Sequence, residues 1–276
     1  MVYLKTADEI RTIKEGGRRL AIILARLVEE VKPGVETGYL EDLAEKMIKE
    51  TGGRPAFKNY PMGGGLFFPS TLCVSINNEV VHGASLPTRL IKAGDIVDLD
   101  IGMEWPIDST WRTKFKAPIN KHSPNGGFFT DMCVTVPAGK IDVAAKKLLK
   151  VSRKCLDLAI KQIKPGNTLN DLARAVQKHA ENHGYGVVRD LVGHGVGYFA
   201  HEEPDVFNFE INEQSRENIV FKPGMVIAVE PMINAGDWRI KVHLNGYTIL
   251  TKDDSLCAHF EHTVAVTEKG CEILTK

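Results

Sequence analysis

"KAGDIVDLD", Lys92–Asp100, opens as a turn, continues as an apolar strand and ends on a carboxylate. Ile96, Val97 and Leu99 suit a buried strand. Asp98 and Asp100 do not, because an ionised carboxylate left dry and unpaired is costly. The pattern returns 130 residues later as "KPGMVIAVE", Lys222–Glu230, which sets Glu230 where Asp100 stands. At the same interval "FTDMCVTV" from Phe129 falls on "FEHTVAVT" from Phe260, off by one at the Phe, and Asp131 falls on Glu261. "KPGVETGYLEDLAEKM" from Lys32 resembles "KPGNTLNDLARAVQ" from Lys164; both end one helix and begin another. With 35 acids in 276 positions a single match of acids is a chance event about one time in eight. The flanking apolar strands and turn residues recur with them, however. The inference is two similar αβ halves related by approximate twofold symmetry, each offering two strand-borne carboxylates to a common centre.

The rest of the chain is compatible with that frame. Its 276 residues allow a sizeable core, and 43% apolar with 25% charged residues is ordinary for a globular protein. A net charge of +0 argues against a whole-chain nucleic-acid or anionic-membrane binder, and DNA is not an expected partner. Apolar runs are too short to span a bilayer, and the start "MVYLKTADEIRTIKEGG" lacks the apolar core of a signal peptide. Five cysteines with no CxxC fit free thiols in a reducing cytoplasm. Thr6 with Glu9 forms a capping box for a helix running to about Val31. Further helices are expected over Tyr39 to Glu50, Val143 to Ile163 and Leu169 to His183. Strands are expected near Leu72 to Ile76, Glu79 to Val81, the opening stretch and Met132 to Val136. Residues 54–70 and 103–128 read as loops, the latter as a long loop or hairpin extension, and the chain is strand-rich from Val187.

Four convergent carboxylates repel one another and need protons, basic side chains or metal ions. A histidine tips the balance to metal, since O-rich sites with one imidazole suit Mn, Fe, Co or Zn. "GHGVGYFAHEEP", Gly193–Pro204, supplies His194 between glycines, which admit close backbone approach. His201 follows seven residues later, outside HExxH spacing, and is free to reach a substrate.

"VVHGAS" with His82, "DLDIG" with Asp100, "FTDMCVTV" with Asp131, "GHGVGYFAHEEP", "IAVEPMIN" with Glu230 and "CAHFEHTVAVT" with Glu261 together resemble the motifs of methionine aminopeptidases, in the pita-bread metallopeptidase family. The likeness covers nearly the whole chain. The His201 to Glu230 interval leaves no room for the large helical insertion of type II enzymes, so the chain resembles type I. The resemblance implies an α+β pita-bread (creatinase/aminopeptidase) fold: two pseudo-twofold-related halves, roughly 1–140 and 141–276, around a curved antiparallel sheet within one catalytic domain, 1–276. It implies two divalent metal ions (Co, Mn, Fe or Zn) held by Asp100, Asp131, His194, Glu230 and Glu261. Asp131 and Glu261 would bridge, Asp100 would hold one ion, and His194 with Glu230 the other. Glu230 would shuttle a proton, while His82 and His201 contact the scissile peptide. The implied activity is removal of the N-terminal methionine from nascent polypeptides in the cytoplasm.

Departures concern the pocket and the rim. Ala200 stands where type I enzymes usually carry Phe, and Tyr247 where Trp is frequent, so a reshaped side-chain pocket is expected around Tyr60, Phe68, Cys73 and Tyr247. Cys73 reads equally as a buried inert thiol. Asp100 and Asp131 lie 31 positions apart where the family commonly has about 11. The residues between include Trp105, Trp111, Arg112, Lys114, Lys116, Lys121 and His122. Insertion 103–128 is either an exposed hairpin extension or a basic, aromatic flap over the cleft or contact with the ribosome. Two other readings of function stand beside the first. One is a related X-Pro aminopeptidase or dipeptidase, which usually has a large N-terminal domain. The other is a non-catalytic binding protein of the same fold, which five intact ligands disfavour. Asp98, Glu202 and Glu203 read mainly as structural or supporting residues.

Overall fold

The computed structural model describes residues 1–108, 110 and 126–276. Trp111, Arg112, Lys114, Lys116, Lys121 and His122 lie outside the described residues. The first half opens with helix α1 (Ala7–Glu30), whose capping box is present: Thr6 Oγ1 accepts from Glu9 N–H and the Glu9 carboxylate accepts from Thr6 N–H. Helix α2 (Thr37–Glu50) follows, starting two residues earlier than the apolar periodicity indicates. Helices α3 (Val143–Gln162) and α4 (Leu169–Asn182) hold the same places in the second half, with Asp142 capping α3.

The duplicated sequence folds alike. In "KPG", "KAG", "KPG" and "KPG", Gly34, Gly94, Gly166 and Gly224 all sit at φ between 90° and 95°. In each, the residue after the glycine donates its N–H to the carbonyl of Lys32, Lys92, Lys164 or Lys222. That is the type II turn, in which only glycine meets the third position without strain. The bridge Glu36 to Leu90 is answered by Thr168 to Val220.

Strand alternation explains the acids of the opening stretch. Strand β1 (Leu72–Ile76) pairs antiparallel with β2 (Ile96–Trp105), which pairs with β3 (Phe128–Pro137). On β2, Val97, Leu99, Ile101 and Met103 pack with Leu20, Ile23, Leu40 and Ile48 of α1 and α2. Asp98 and Asp100 therefore face the other side. The second sheet runs β5 (Glu202–Val206), β4 (Gly193–Gly195), β6 (Val226–Val229), β7 (His262–Thr267) and β8 (Gly270–Ile273). Ile227, Val229, Val264 and Val266 pack with Leu148, Leu172 and Val176 of α3 and α4, which turns Glu230 the other way. The two sheets meet at the Val134 to Phe260 bridge. Thr263 fastens them, accepting from Asp131 N–H at 2.9 Å and donating to Asp131 C=O at 2.8 Å.

The halves differ in register. Val97 pairs with Val136, but its counterpart Ile227 pairs with Val264, two residues short of Val266. An even shift keeps every side chain on its face, so the acids still point to one centre.

Two expectations change. Residues 54–70 contain short strands, Arg54–Pro55, Pro61–Gly63 and Leu66–Phe67, rather than loop alone. The strands flanking the insertion extend to Trp105 and back to Phe128, and Trp105 is anchored, with Nε1 donating to Thr51 C=O and Arg19 over its ring. Among the described residues no helix is long and apolar enough to cross a membrane.

Candidate metal centre

Asp100 on β2, Asp131 on β3, His194 on β4, Glu230 just after β6 and Glu261 just before β7 all line one cavity of ≈ 590 Å³. Each is between 2% and 9% exposed. Among the described residues, the ion-pair partners of these four carboxylates are His194 and His259 alone. Burial pushes the Asp100 carboxyl up to about 7, with Asp98 and Glu230 adding to the rise against the pull of His259. Burial and then the neighbouring carboxylates push Asp131 and Glu261 well above the usual range. Asp100 Oδ1, Asp131 Oδ1 and Glu261 Oε1 are buried with no hydrogen-bond partner among the described residues. Asp131, His194 and Glu261 bring one donor atom each within 4.8 Å of one another. Orphaned buried oxygens around an imidazole fit divalent metal, and this donor set leaves Mn, Fe, Co and Zn open.

The histidines are prepared for different tasks. His194 Nδ1 lies 2.9 Å from Gly195 C=O. A carbonyl only accepts, so Nδ1 carries the hydrogen and the Nε2 lone pair, 3.4 Å from Glu230 Oε1, is free for an ion. His201 is exposed at the cavity mouth, yet desolvation by the protein atoms around it, then His194 and His82, holds it well below its ordinary value, so the ring is neutral. Its Nδ1 meets Tyr60 Oη at 2.9 Å. Burial raises the Tyr60 phenol, so its O–H stays protonated and can donate to Nδ1, the arrangement that puts the His201 hydrogen on Nε2. His82 is likewise lowered by burial, and its φ of 58° places a non-glycine residue in the left-handed region, a strain characteristic of functional positions.

The glycines beside His194 are required by contact. A Cβ on Gly193 would lie 2.4 Å from Ala228 C=O, and one on Gly195 would lie 2.4 Å from Glu203 C=O. Gly193→Ala should therefore cost about 1–3 kcal/mol, lowering Tm by roughly 2–4 °C per kcal/mol. It should also displace His194; unchanged melting together with unchanged metal affinity would contradict this reading.

Tyr60, Phe68 and Cys73 line the same cavity, along with Phe57, Met62 and Met232, which sequence reasoning missed. Burial first, then Asp100 and Asp131, raises the Cys73 thiol well above its ordinary value, so it remains protonated and apolar. Tyr247 is not part of the lining: it stacks edge-on behind Phe68, ring centroids 5.6 Å apart. Ala200 opens instead on a neighbouring cavity of ≈ 440 Å³ with Glu45, Lys49, Arg54 and Lys58, which shares Tyr60, Pro61 and His201 with the first. The small side chain thus enlarges that second space and not the metal-lined one. Glu202 anchors the histidine loop: it pairs with buried Lys5 and accepts from Phe199 N–H at 2.9 Å. Also missed was His259, whose signal was its place two residues before Glu261.

A profile of metallopeptidase family M24 matches residues 11–116 and 123–268. Methionine aminopeptidase 1 of Bacillus subtilis (strain 168) is 38% identical over 277 aligned residues, covering 100% of both chains. The crystal structure of methionine aminopeptidase from Thermotoga maritima superposes with a TM-score of 0.86 at 38% identity, again over 100% of both chains. The prolidase from Pyrococcus horikoshii OT3 superposes over 99% of this chain and 63% of its own, at a TM-score of 0.71 and 20% identity, a likeness of fold alone.

Proposed function

The chain belongs to metallopeptidase family M24, and from that premise we infer that the acid-lined cavity is where it removes the N-terminal methionine from newly made polypeptides. It is a metal-dependent hydrolase with the pita-bread fold. The convergence of Asp100, Asp131, His194, Glu230 and Glu261 on one cavity supports this site. Asp100, Asp131, His194, Glu230 and Glu261 would hold two divalent ions. When bound, the ions lower the pKa of a water toward neutrality. Hydrolysis adds the water's OH to the carbonyl carbon, breaks the C–N bond and returns a proton to the leaving amine. Glu230 would take that proton and deliver it. Neutral His201, with its hydrogen on Nε2, would donate to the carbonyl oxygen as charge develops. His82 contacts the same peptide. Phe68, Cys73 and Tyr60 receive the methionine side chain, and Tyr247 supports Phe68 from behind.

The substrates are N-termini of nascent chains, which places the protein in the cytoplasm. Contact between insertion 103–128 and the ribosome belongs to the same proposal. Release of the terminal residue from Met-Ala-Ser and Ala-Pro-Ala, with and without chelator, tests the reading. Methionine release stopped by chelator is expected. Cleavage only before proline would shift the activity to an X-Pro exopeptidase, and no turnover with any metal would leave a binding protein. The next subsite should accept only small residues, so Met-Ala peptides should be processed at least about 100-fold faster than Met-Trp peptides. Equal rates would remove that expectation.

A further inference from the structure

Behind Glu230 lies a second row of side chains that the chemistry above does not use. Asp98, Cys133 and His259 each sit two residues from a ligand, namely Asp100, Asp131 and Glu261, and bring one donor atom each within 4.8 Å of one another. All are buried, and none lines the cavity, which stops at Glu230. His259 stands between two carboxylates: Nε2 is 3.5 Å from Glu230 Oε2 and Nδ1 is 3.5 Å from Asp98 Oδ2. Thr135 holds the far side, its hydroxyl 3.0 Å from Asp98 Oδ1 and 2.8 Å from His259 C=O while accepting from His259 N–H at 2.9 Å. The other Glu230 oxygen, Oε1, faces His194 at 3.4 Å. Glu230 therefore has the His259 ring within 3.5 Å of one oxygen, and the ring, whose two nitrogens have no hydrogen-bond partner among the described residues, has a carboxylate within 3.5 Å at each end.

We propose that Asp98 and His259 form a positioning pair for Glu230: the ring pins Oε2 so that Oε1 is presented to the metal and to the proton it carries, and Asp98 pins the ring. The proposal rests on the aminopeptidase reading for its catalytic part and on geometry alone for its metal-binding part. Asp98 shares a sheet face with Asp100 on β2 and Cys133 shares one with Asp131 on β3, while His259 ends a separate strand, Cys257–His259, two residues before Glu261.

The test measures Mn²⁺ affinity by chelator competition, and kcat and KM for Met-Ala-Ser, in His259→Gln, Asp98→Asn and the double variant. His259→Gln should weaken Mn²⁺ binding by about 10–100-fold, as loss of a ligand's hydrogen-bond partner does. It should lower kcat about ten-fold while KM stays within about two-fold, because only the proton carrier is misplaced. Asp98→Asn should give a smaller loss in the same direction, and the double variant should be no worse than His259→Gln, because Asp98 acts through the ring. Asp98→Asn keeps the ring and the Thr135 contact, so it carries the test if His259→Gln does not fold. Wild-type Mn²⁺ affinity and kcat in the folded variants, or losses that simply add, would overturn the pair. So would a third equivalent of metal in the wild-type protein that disappears in Cys133→Ser, which would make the cluster an ion site. Wild-type protein that binds Mn²⁺ but releases no methionine would sink the aminopeptidase reading and leave the affinity comparison intact.

Discussion

Glu230→Gln is expected to lower kcat for methionine release by about 10²–10⁴-fold, the range for losing a positioned acid–base group. His194→Ala should do at least as much, since it removes the centre's imidazole and frees the Glu230 carboxylate opposite it. Neither change should unfold the protein. The amide introduced by Glu230→Gln would relieve repulsion in a buried set of carboxylates whose protonation is already forced upward by burial and by one another. His194 lies at a cavity wall and not within the apolar packing of α1–α4. Steady-state rates in metal-replete buffer, with melting curves beside them, check the claim. Wild-type-like turnover in either variant would refute the assignment of the site.

Metal removal should make stability fall as pH rises. Asp100 goes from an ordinary 3.8 to about 7 in the folded chain. Between those values the folded state holds a proton that the unfolded chain has lost, so its contribution is complete below about pH 4 and is lost as pH rises through about 7. From pH 5.5 to 8 that amounts to about 2 kcal/mol from Asp100 alone, or a fall in Tm of roughly 5 °C. Asp131 and Glu261 shift in the same direction, burial being the first cause for each, so they add to the fall. Divalent metal replaces the protons as counter-charge, so adding Mn²⁺ at pH 8 should restore what chelation removed. Thermal melts of chelated and Mn²⁺-loaded protein at pH 5.5 and 8 decide the matter. A chelated protein that melts higher at pH 8 than at pH 5.5 would contradict the buried-acid account.

The features legible in the sequence were those set by local chemistry. The Thr6–Glu9 capping box, the glycines of the four lysine-led turns and the alternation along Ile96–Trp105 depend on neighbours a few residues apart, and each is present. Pairing of Asp100 with Glu230 and Asp131 with Glu261 was legible because duplication copies position as well as residue type. What escaped depends on distant contacts. The two-residue register shift of Val226–Val229 against His262–Thr267 leaves facial alternation unchanged and so has no periodic signature. The Thr263 clasp on Asp131 crosses between sheets. His259 is an ordinary strand residue until Asp98 and Glu230 are seen on either side of it. Ala200 was expected to reshape the methionine pocket from its place beside His201, but the backbone turns it to the adjoining cavity. Tyr247 falls behind Phe68 for a similar reason, since a loop position fixes proximity but not which ring stands in front.

Diffraction from Mn²⁺-loaded crystals on both sides of the manganese absorption edge locates the metal centre. Two anomalous peaks a few ångströms apart are expected, bounded by Asp100, Asp131, His194, Glu230 and Glu261, with Asp131 and Glu261 touching both. An anomalous map with no peak among those five side chains, at metal concentrations that support turnover, would contradict that assignment.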